Sequence, residues 1–369
     1  MERERSNKVI VAMSGGVDSS VAAALLKREG FSVVGVFMKF WSEPLSSSSP
    51  QINADSNADL RGYENKCCSS ENETRAREVA AKLKIPFYVF DFRKEFKKKV
   101  VDYFLKEYKA GRTPNPCVVC NKEIKFDLLF KKMFSLSADY IATGHYVRLR
   151  LENSNCRLFR GKDRNKDQSY FLWKLNQKIL KKALFPIGDY TKAEVRNLAS
   201  RFNLPVLGIP ESQEVCFIPD VLEKFLEKHL KVKPGKIIDI EGKTIGEHQG
   251  LWFYTIGQRK GIELPGGPFY VLDKDVKKNL LIVTQNERDL YKKELFVKNA
   301  NWIIKEKPKL PLKIKVQIRY GHPAERAELF KEKNRGLKVV FLKYQRAVTP
   351  GQSAVFYKGQ QLLGGGIII

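Results

Sequence analysis

Residues 9–20 read VIVAMSGGVDSS, an apolar, β-branched run delivered into a glycine turn that opens an amphipathic helix through Val21, Ala22, Leu25 and Leu26. Strand, glycine loop and helix in that order grip phosphate. Gly15 and Gly16 let the backbone come within hydrogen-bonding reach of phosphate oxygens, while Ser14, Ser19 and Ser20 offer hydroxyls and the helix start offers N–H groups. Asp18 has the wrong charge to face phosphate directly. Its chemical use is to hold a Mg2+ ion that bridges the phosphates. The spacing is neither GxxxxGK[ST] nor GxGxxG, so neither a Walker-type nucleotidase nor a dinucleotide site is indicated. A Gly-Gly turn that merely caps a helix is the plain alternative.

Cysteines form the second chemical group. In GRTPNPCVVCNKEIKF, residues 111–126, two prolines stiffen a loop that presents Cys117 and Cys120 just ahead of a helix, where a thiol gains thiolate character. Cys216 stands in a further loop, ESQEVCFIP, at 211–219. A CxxC pattern serves redox chemistry, Zn2+, an iron–sulfur cluster or simple packing, and the pattern alone does not choose.

Charge narrows the partner. The 369 residues carry 67 Lys plus Arg against 41 Asp plus Glu, a net +26, and residues 291–369 alone contribute +12. Such a field draws in a polyanion, and beside an ATP-type site it favours nucleic acid over a merely solvated surface. The charged start MERERSNK and the lack of a run of ~20 apolar residues argue against a signal peptide or membrane helix. A cytoplasmic protein without membrane contact is expected, in which six cysteines would not form a structural disulfide framework.

These residues need elements to hold them. Strand-like runs at KVIVAM, SVVGVF, FYVFDF and DYIATGHY alternate with helical patterns at 74–84, 96–109 and 121–133, which predicts a parallel sheet wrapped by helices with ligands at its carboxyl edge. Residues 42–66, rich in Ser, Asn and Asp, read as a mobile surface loop. Helical patterns continue at 191–202 and 220–229. Beyond Val232 the texture turns to short strands with Gly and Pro punctuation, and 295–369 reads as a small β-barrel or sandwich. The expected fold is α/β: a Rossmann-like parallel-sheet domain over 1–218, a small β-rich central domain over 219–290, and a C-terminal β-barrel over 291–369.

The SGGVDSS loop resembles the PP-loop of ATP pyrophosphatases. Over nearly its whole length the chain resembles the tRNA-specific 2-thiouridylases, through MSGGVDSS, GRTPNPCVVCNKEIKF, ATGHYVR, KDQSYFLWKL, FPIGDYTKAEVR, ESQEVCFIP, GLWFYTIGQRKG and the terminal LLGGG, in family order. The resemblance implies adenylation of O2 of the wobble uridine by ATP with Mg2+, followed by sulfur transfer to C2. It places the nucleotide against Ala12, Met13, Ser14, Gly15, Gly16, Val17, Asp18 and Ser19, with Met38 and Gly144 at the adenosine. Cys120 matches the family's nucleophile and Cys216 its persulfide carrier. Asn115, Pro116 and Cys117 match the stretch that meets the target base, while His145, Lys166, Asp167, Gln168, Arg319, Tyr320 and Gln352 match positions that touch tRNA. The implied partners are the anticodon stem-loop of tRNAs for Lys, Glu and Gln, and a sulfur donor such as a cysteine desulfurase or relay protein; a monomer is expected.

Each accessory residue also has an ordinary reading. His145 could be a hydrogen-bonded surface imidazole, Lys166–Gln168 a polar turn, Arg319–Tyr320 an exposed strand end, and Trp252, Phe253 and Tyr254 packing residues. Cys67, Cys68 and Cys156 receive no role. Many relatives carry Asp where this chain has Cys117, which leaves a general base unassigned there. It also creates a second scheme, in which Cys117, Cys120 and Cys216 bind a [4Fe–4S] cluster with one iron open to sulfide. The competing functions are a PP-loop amidoligase, which has no use for paired cysteines on a basic surface, and a non-catalytic tRNA binder, which has no use for the phosphate loop.

Overall fold

The structure, a computed structural model, describes residues 7–41, 68–206, 208, 215–218 and 221–369. The 42–66 loop expectation lies outside the described residues. Two compact units emerge: residues up to 100 together with 119–220, and residues 101–118 together with 221–369. The segment 101–118, which precedes Cys120, therefore groups with the later part of the chain.

The first unit is built on a five-stranded, wholly parallel sheet in the order β3-β2-β1-β4-β7, formed by β1 (Lys8–Ala12), β2 (Ser32–Lys39), β3 (Phe87–Asp91), β4 (Tyr140–Thr143) and β7 (Ala183–Leu184). Val9, Ile10 and Val11 of β1 are fully buried, as expected of a central strand covered on both faces. The chain passes from β1 to β2 on one side and reaches β4 on the other. Ala12 pairs with Val36 and with Thr143, so the crevice where strand order reverses opens just beyond these residues. Helix α1 (Val17–Arg28) packs Val21, Ala22 and Leu25 into a core shared with Val195 and Ala199 of the helix Lys192–Arg201. Helix α2 (Ser70–Lys82) adds Ala76 and Val79. After β4 the chain forms a hairpin, β5 (Val147–Glu152) with β6 (Asn155–Arg160).

In the second unit, β8 (Gly235–Ile238), β9 (Thr244–His248), β10 (Tyr270–Asp275) and β11 (Leu280–Thr284) form a four-stranded sheet in the order β10-β11-β8-β9. Phe253 and Tyr254 belong to its apolar core, which settles their ordinary reading as packing residues. The last part closes into a six-stranded antiparallel barrel: β12 (Tyr291–Trp302), β15 (Gly336–Arg346), β14 (Glu325–Glu332), β13 (Leu312–Gln317), β16 (Ser353–Lys358) and β17 (Gln361–Ile368), with β17 returning to β12. The LLGGG motif has a packing reason here. A Cβ on Gly364 would run into the Asn301 carbonyl and one on Gly366 into the Val297 side chain, so only glycine lets β17 approach β12 closely enough to close the barrel. No helix among the described residues is long and apolar enough to cross a membrane.

Candidate active site

The phosphate loop sits at the switch point of the parallel sheet. Gly15 adopts φ +75°, and a Cβ there would collide with the Asn72 carbonyl at the start of α2. Gly144, the first residue after β4, would bring a Cβ to 2.7 Å from the Asp18 carbonyl carbon and the Ser19 nitrogen. Glycine at 144 thus lets β4 end directly against the first turn of α1. That turn is uncapped: it starts from Gly16 with no side-chain acceptor, whereas Ser69 caps α2 and Thr191 and Glu194 form a capping box on the helix Lys192–Arg201. An uncapped helix start leaves its first amides for an anion.

The three serines divide their work. Ser14 is exposed; its N–H donates to Ser19 Oγ (3.1 Å), and Ser19 Oγ donates to the Gly16 carbonyl (3.1 Å). Ser20 is fully buried and donates to the same carbonyl (2.9 Å), so it braces the loop and offers no hydroxyl to a phosphate, contrary to the expectation. Met13 and Val17 are buried beneath the loop, Ala12 ends β1, and Met38 is buried on β2 opposite Phe90.

Asp18 has partners that motif reading does not reveal. Tyr146 OH donates to Asp18 Oδ1 at 2.7 Å, and Lys192 Nζ donates to the same oxygen at 2.7 Å. Both partners are held in turn by residues 163–168. Gln168 brackets the Tyr146 backbone, accepting from its N–H (3.0 Å) and donating its own N–H to its carbonyl (3.1 Å), while Asp163 Oδ2 accepts the Lys192 N–H (3.0 Å). Asp167 is buried and accepts from Arg160 Nη1, the Gly161 and Ser169 N–H groups and Ser169 Oγ. Asp167 and Gln168, expected at tRNA, thus have inward-facing roles. One carboxylate beside an uncapped helix suits Mg2+, which takes one or two protein carboxylates and fills its shell with phosphates and water.

The thiols are presented in different ways. Cys120, 7% exposed, begins a π-helical turn, Cys120–Phe126, that continues the short helix Pro116–Val119; such turns are frequent at functional sites. The next residue, Asn121, is buried with its Oδ1 unpartnered, a polar group that the sequence reading passed over. Cys117 is half-buried in the preceding helix, whose start Asn115 caps by accepting the Val118 N–H (3.4 Å). Cys216, also half-buried, lies in a turn anchored by Phe217, whose ring meets Trp41 (6.5 Å) and Phe96 (5.7 Å) edge-on. Cys68 Sγ accepts from the Phe40 N–H (3.2 Å), and Cys156 is buried, which pushes its thiol pKa up. None of the five described cysteines is in a disulfide. Among the described residues no three His, Cys, Asp or Glu side chains are gathered as a metal site, so the cluster scheme finds no ligand triad here.

Three family models match in order along the chain: a tRNA methyl transferase HUP domain over residues 7–220, a tRNA methyl transferase PRC-barrel domain over 223–285, and an aminomethyltransferase beta-barrel domain over 292–368. The chain is 45% identical over 98% of its length, and 97% of the relative's, to the tRNA-specific 2-thiouridylase MnmA of Carboxydothermus hydrogenoformans. It is 46% identical to tRNA-specific 2-thiouridylase MnmA 2 of a Thermoanaerobacter species, covering 99% of this chain and 98% of that one. The chain belongs to the tRNA-specific 2-thiouridylase family. Its relative in Clostridioides difficile is 42% identical over 98% of both chains.

Of the positions expected to touch tRNA, Tyr320 is 42% exposed and Arg319 is exposed beside it, its Nη2 reaching Thr349 Oγ1 (3.3 Å). Lys166 is half-buried. His145 is buried at 8%, with Nδ1 2.8 Å from Thr143 Oγ1 and its ring between Phe126 and Phe185. Burial, and then the Lys125 charge, push its pKa down to about 3, so it is a neutral core imidazole rather than a surface one. Unfolding returns His145 to an ordinary value near 6.5, so its contribution to stability is intact above pH 6.5 and is lost as pH falls toward 3. Between pH 7 and 5 this one group is expected to cost about 2 kcal/mol, and His145→Gln should remove that dependence in urea unfolding measured at both pH values.

Gln352 is also engaged. Its Nε2 donates to the carbonyls of Thr113 (2.8 Å) and Pro114 (3.3 Å), and the Pro350 carbonyl accepts the Thr113 N–H (3.0 Å). Arg112 forms a two-bond pair with Glu107 (2.6 and 2.7 Å). The loop carrying Asn115, Pro116 and Cys117 is therefore fastened to the barrel within the second unit. Gln352→Ala removes two bonds of roughly 1 kcal/mol each, and amide exchange at Arg112, Thr113 and Asn115 is expected to quicken up to about thirtyfold. Unchanged exchange would show that Gln352 does not hold the loop.

Proposed function

We infer that this protein is a tRNA-uridine 2-sulfurtransferase that consumes ATP, releasing AMP and pyrophosphate, to give 2-thiouridine in tRNA. The observation that carries the reading is the near-full-length identity of 42–46% to proteins named tRNA-specific 2-thiouridylases. Methyl transfer, the term in two of the family-model descriptions, would give the phosphate loop no use.

C2 of uracil is a weak electrophile with a poor leaving group, so the carbonyl oxygen is first converted into an adenylate. O2 attacks the α-phosphorus and pyrophosphate leaves with the bonding electron pair. The residues Ala12–Ser19 would bind the phosphates, Asp18 would hold the Mg2+, and Met38 and Gly144 would lie by the adenosine; the ion supplies charge that offsets the growing negative charge on pyrophosphate. Cys216 carries the incoming sulfur as a persulfide. Its terminal sulfur forms a bond to C2 while the C2–O bond breaks and AMP departs. The Cys120 thiolate then attacks Cys216 Sγ, which releases the thiolated base and leaves a Cys120–Cys216 disulfide for an external thiol to reduce. Cys117 receives no step.

The proposed target is the wobble uridine of tRNAs for lysine, glutamate and glutamine, in a single-stranded loop from which a base leaves its stack at low cost. The net charge of +26, with +12 in residues 291–369, supports docking of the anticodon stem-loop through Arg319, Tyr320 and neighbouring basic residues. A cysteine desulfurase or relay protein would deliver the persulfide in the cytoplasm.

The test combines the protein with ATP, Mg2+, an unmodified tRNA transcript and a persulfide donor, followed by nucleoside mass spectrometry. One thiolated uridine per pyrophosphate released supports the reading. Pyrophosphate release driven by an amine instead of tRNA would replace it with ligase chemistry.

A further inference from the structure

Lys192 opens a helix, where the dipole disfavours a cation by roughly 0.3–1 kcal/mol, and its side chain is only 11% exposed. Residues 163–168 and the Thr191–Glu194 capping box nevertheless hold that position firmly. Its Nζ is 2.7 Å from Asp18 Oδ1 and 5.9 Å from the centre of the Tyr146 ring, so its charge is aimed at the first turn of α1 and the phosphate loop. Asp18 is also the carboxylate assigned to Mg2+. Its Oδ1 cannot give full strength to a lysine, a tyrosine hydroxyl and a divalent ion together.

We propose that Lys192 is a catalytic residue for pyrophosphate departure: without nucleotide it neutralises Asp18, and with Mg2+ and ATP bound it exchanges that carboxylate for the leaving phosphates. The proposal rests on reading SGGVDSS as the pyrophosphate site. When O2 of uridine attacks the α-phosphorus, the bond to the bridging oxygen breaks and its electron pair goes to pyrophosphate. Lys192 places a fixed positive charge where that pair arrives. Tyr146 keeps its hydrogen bond to Asp18 and holds the carboxylate in place during the exchange.

The experiment is calorimetric titration with inorganic pyrophosphate, with Mg2+ or with a chelator, on the wild type, Lys192→Met, Asp18→Asn and the double variant. Lys192→Met is expected to weaken binding of pyrophosphate with Mg2+ roughly tenfold and that of AMP less than about twofold. Asp18→Asn should bind metal-free pyrophosphate more tightly than the wild type, because Lys192 no longer faces a carboxylate. Adding Lys192→Met to Asp18→Asn should abolish that gain. The double variant leaves no uncompensated charge, so it decides the matter if Lys192→Met alone fails to fold. A double variant that binds metal-free pyrophosphate as tightly as Asp18→Asn would overturn the proposal and reduce Lys192 to a support for Asp18. A wild type that binds no pyrophosphate under either condition would overturn the phosphate-loop reading itself, and the proposal with it.

Discussion

Cys216→Ser is expected to eliminate 2-thiouridine formation, by roughly 10^3-fold or more, while one round of tRNA-dependent pyrophosphate release survives. Adenylation needs the phosphate loop and the base but no sulfur. Serine keeps the size of the side chain, and the turn stays anchored by Phe217 against Trp41 and Phe96, so loss of the transferable sulfur is the main change. Cys120→Ser should fail differently. Without its thiolate the bond between Cys216 and the base persists, and tRNA should remain attached to the protein through a linkage that dithiothreitol cleaves. If Cys216→Ser still thiolates tRNA, the carrier is elsewhere. If Cys120→Ser turns over normally with no trapped tRNA, Cys120 is not the resolving thiol. Gel shift under non-reducing conditions, run beside nucleoside analysis, reads all of these results.

Asp18→Asn carries the second large effect. Asparagine can still accept from Tyr146 OH, so the loop geometry is retained, but the charge that would hold Mg2+ is gone. Pyrophosphate release is expected to slow roughly 10^2- to 10^3-fold, the range seen when one preorganised electrostatic contact is lost. Binding of tRNA should change less than about twofold, because the basic surface is untouched. Leaving Lys192 without its carboxylate should also lower stability by about 1–2 kcal/mol, less than for a fully buried pair because Asp18 is 31% exposed. A rate within about tenfold of wild type would remove Asp18 from metal binding.

The parallel sheet was readable because β1, β2, β3 and β4 are nearly unbroken apolar runs separated by helical periods. The helices were readable in place but not in exact extent or kind: those expected at 74, 96 and 121 begin at Ser70, Arg93 and Pro116. The 96–109 pattern is interrupted by a π-turn at Lys97–Val101 and the 121–133 pattern begins with one at Cys120–Phe126, and hydrophobic spacing does not distinguish one extra residue per turn. The barrel-or-sandwich choice was open because closure depends on β12 meeting β17, a pairing between distant strands. At the site, SGGVDSS announces itself through glycine chemistry. Tyr146 and Lys192 do not, since a tyrosine after a strand and a lysine after a capping threonine are ordinary until the fold sets them on one carboxylate. His145 and Asp167 show the reverse case: polar letters suggest a surface, and burial with satisfied hydrogen bonds turned Asp167 into scaffold and His145 into core, while half-buried Gln168 braces the Tyr146 backbone.

The contacts on Asp18 bridge 128 residues to Tyr146 and 174 to Lys192. Pairings of such separation form late, after the intervening elements have collapsed onto the sheet. A chain still being synthesised or refolding thus holds a glycine loop with no matching cation. On the proposed role of Lys192, the capacity to split ATP is expected only once the helix Lys192–Arg201 has docked beside that loop.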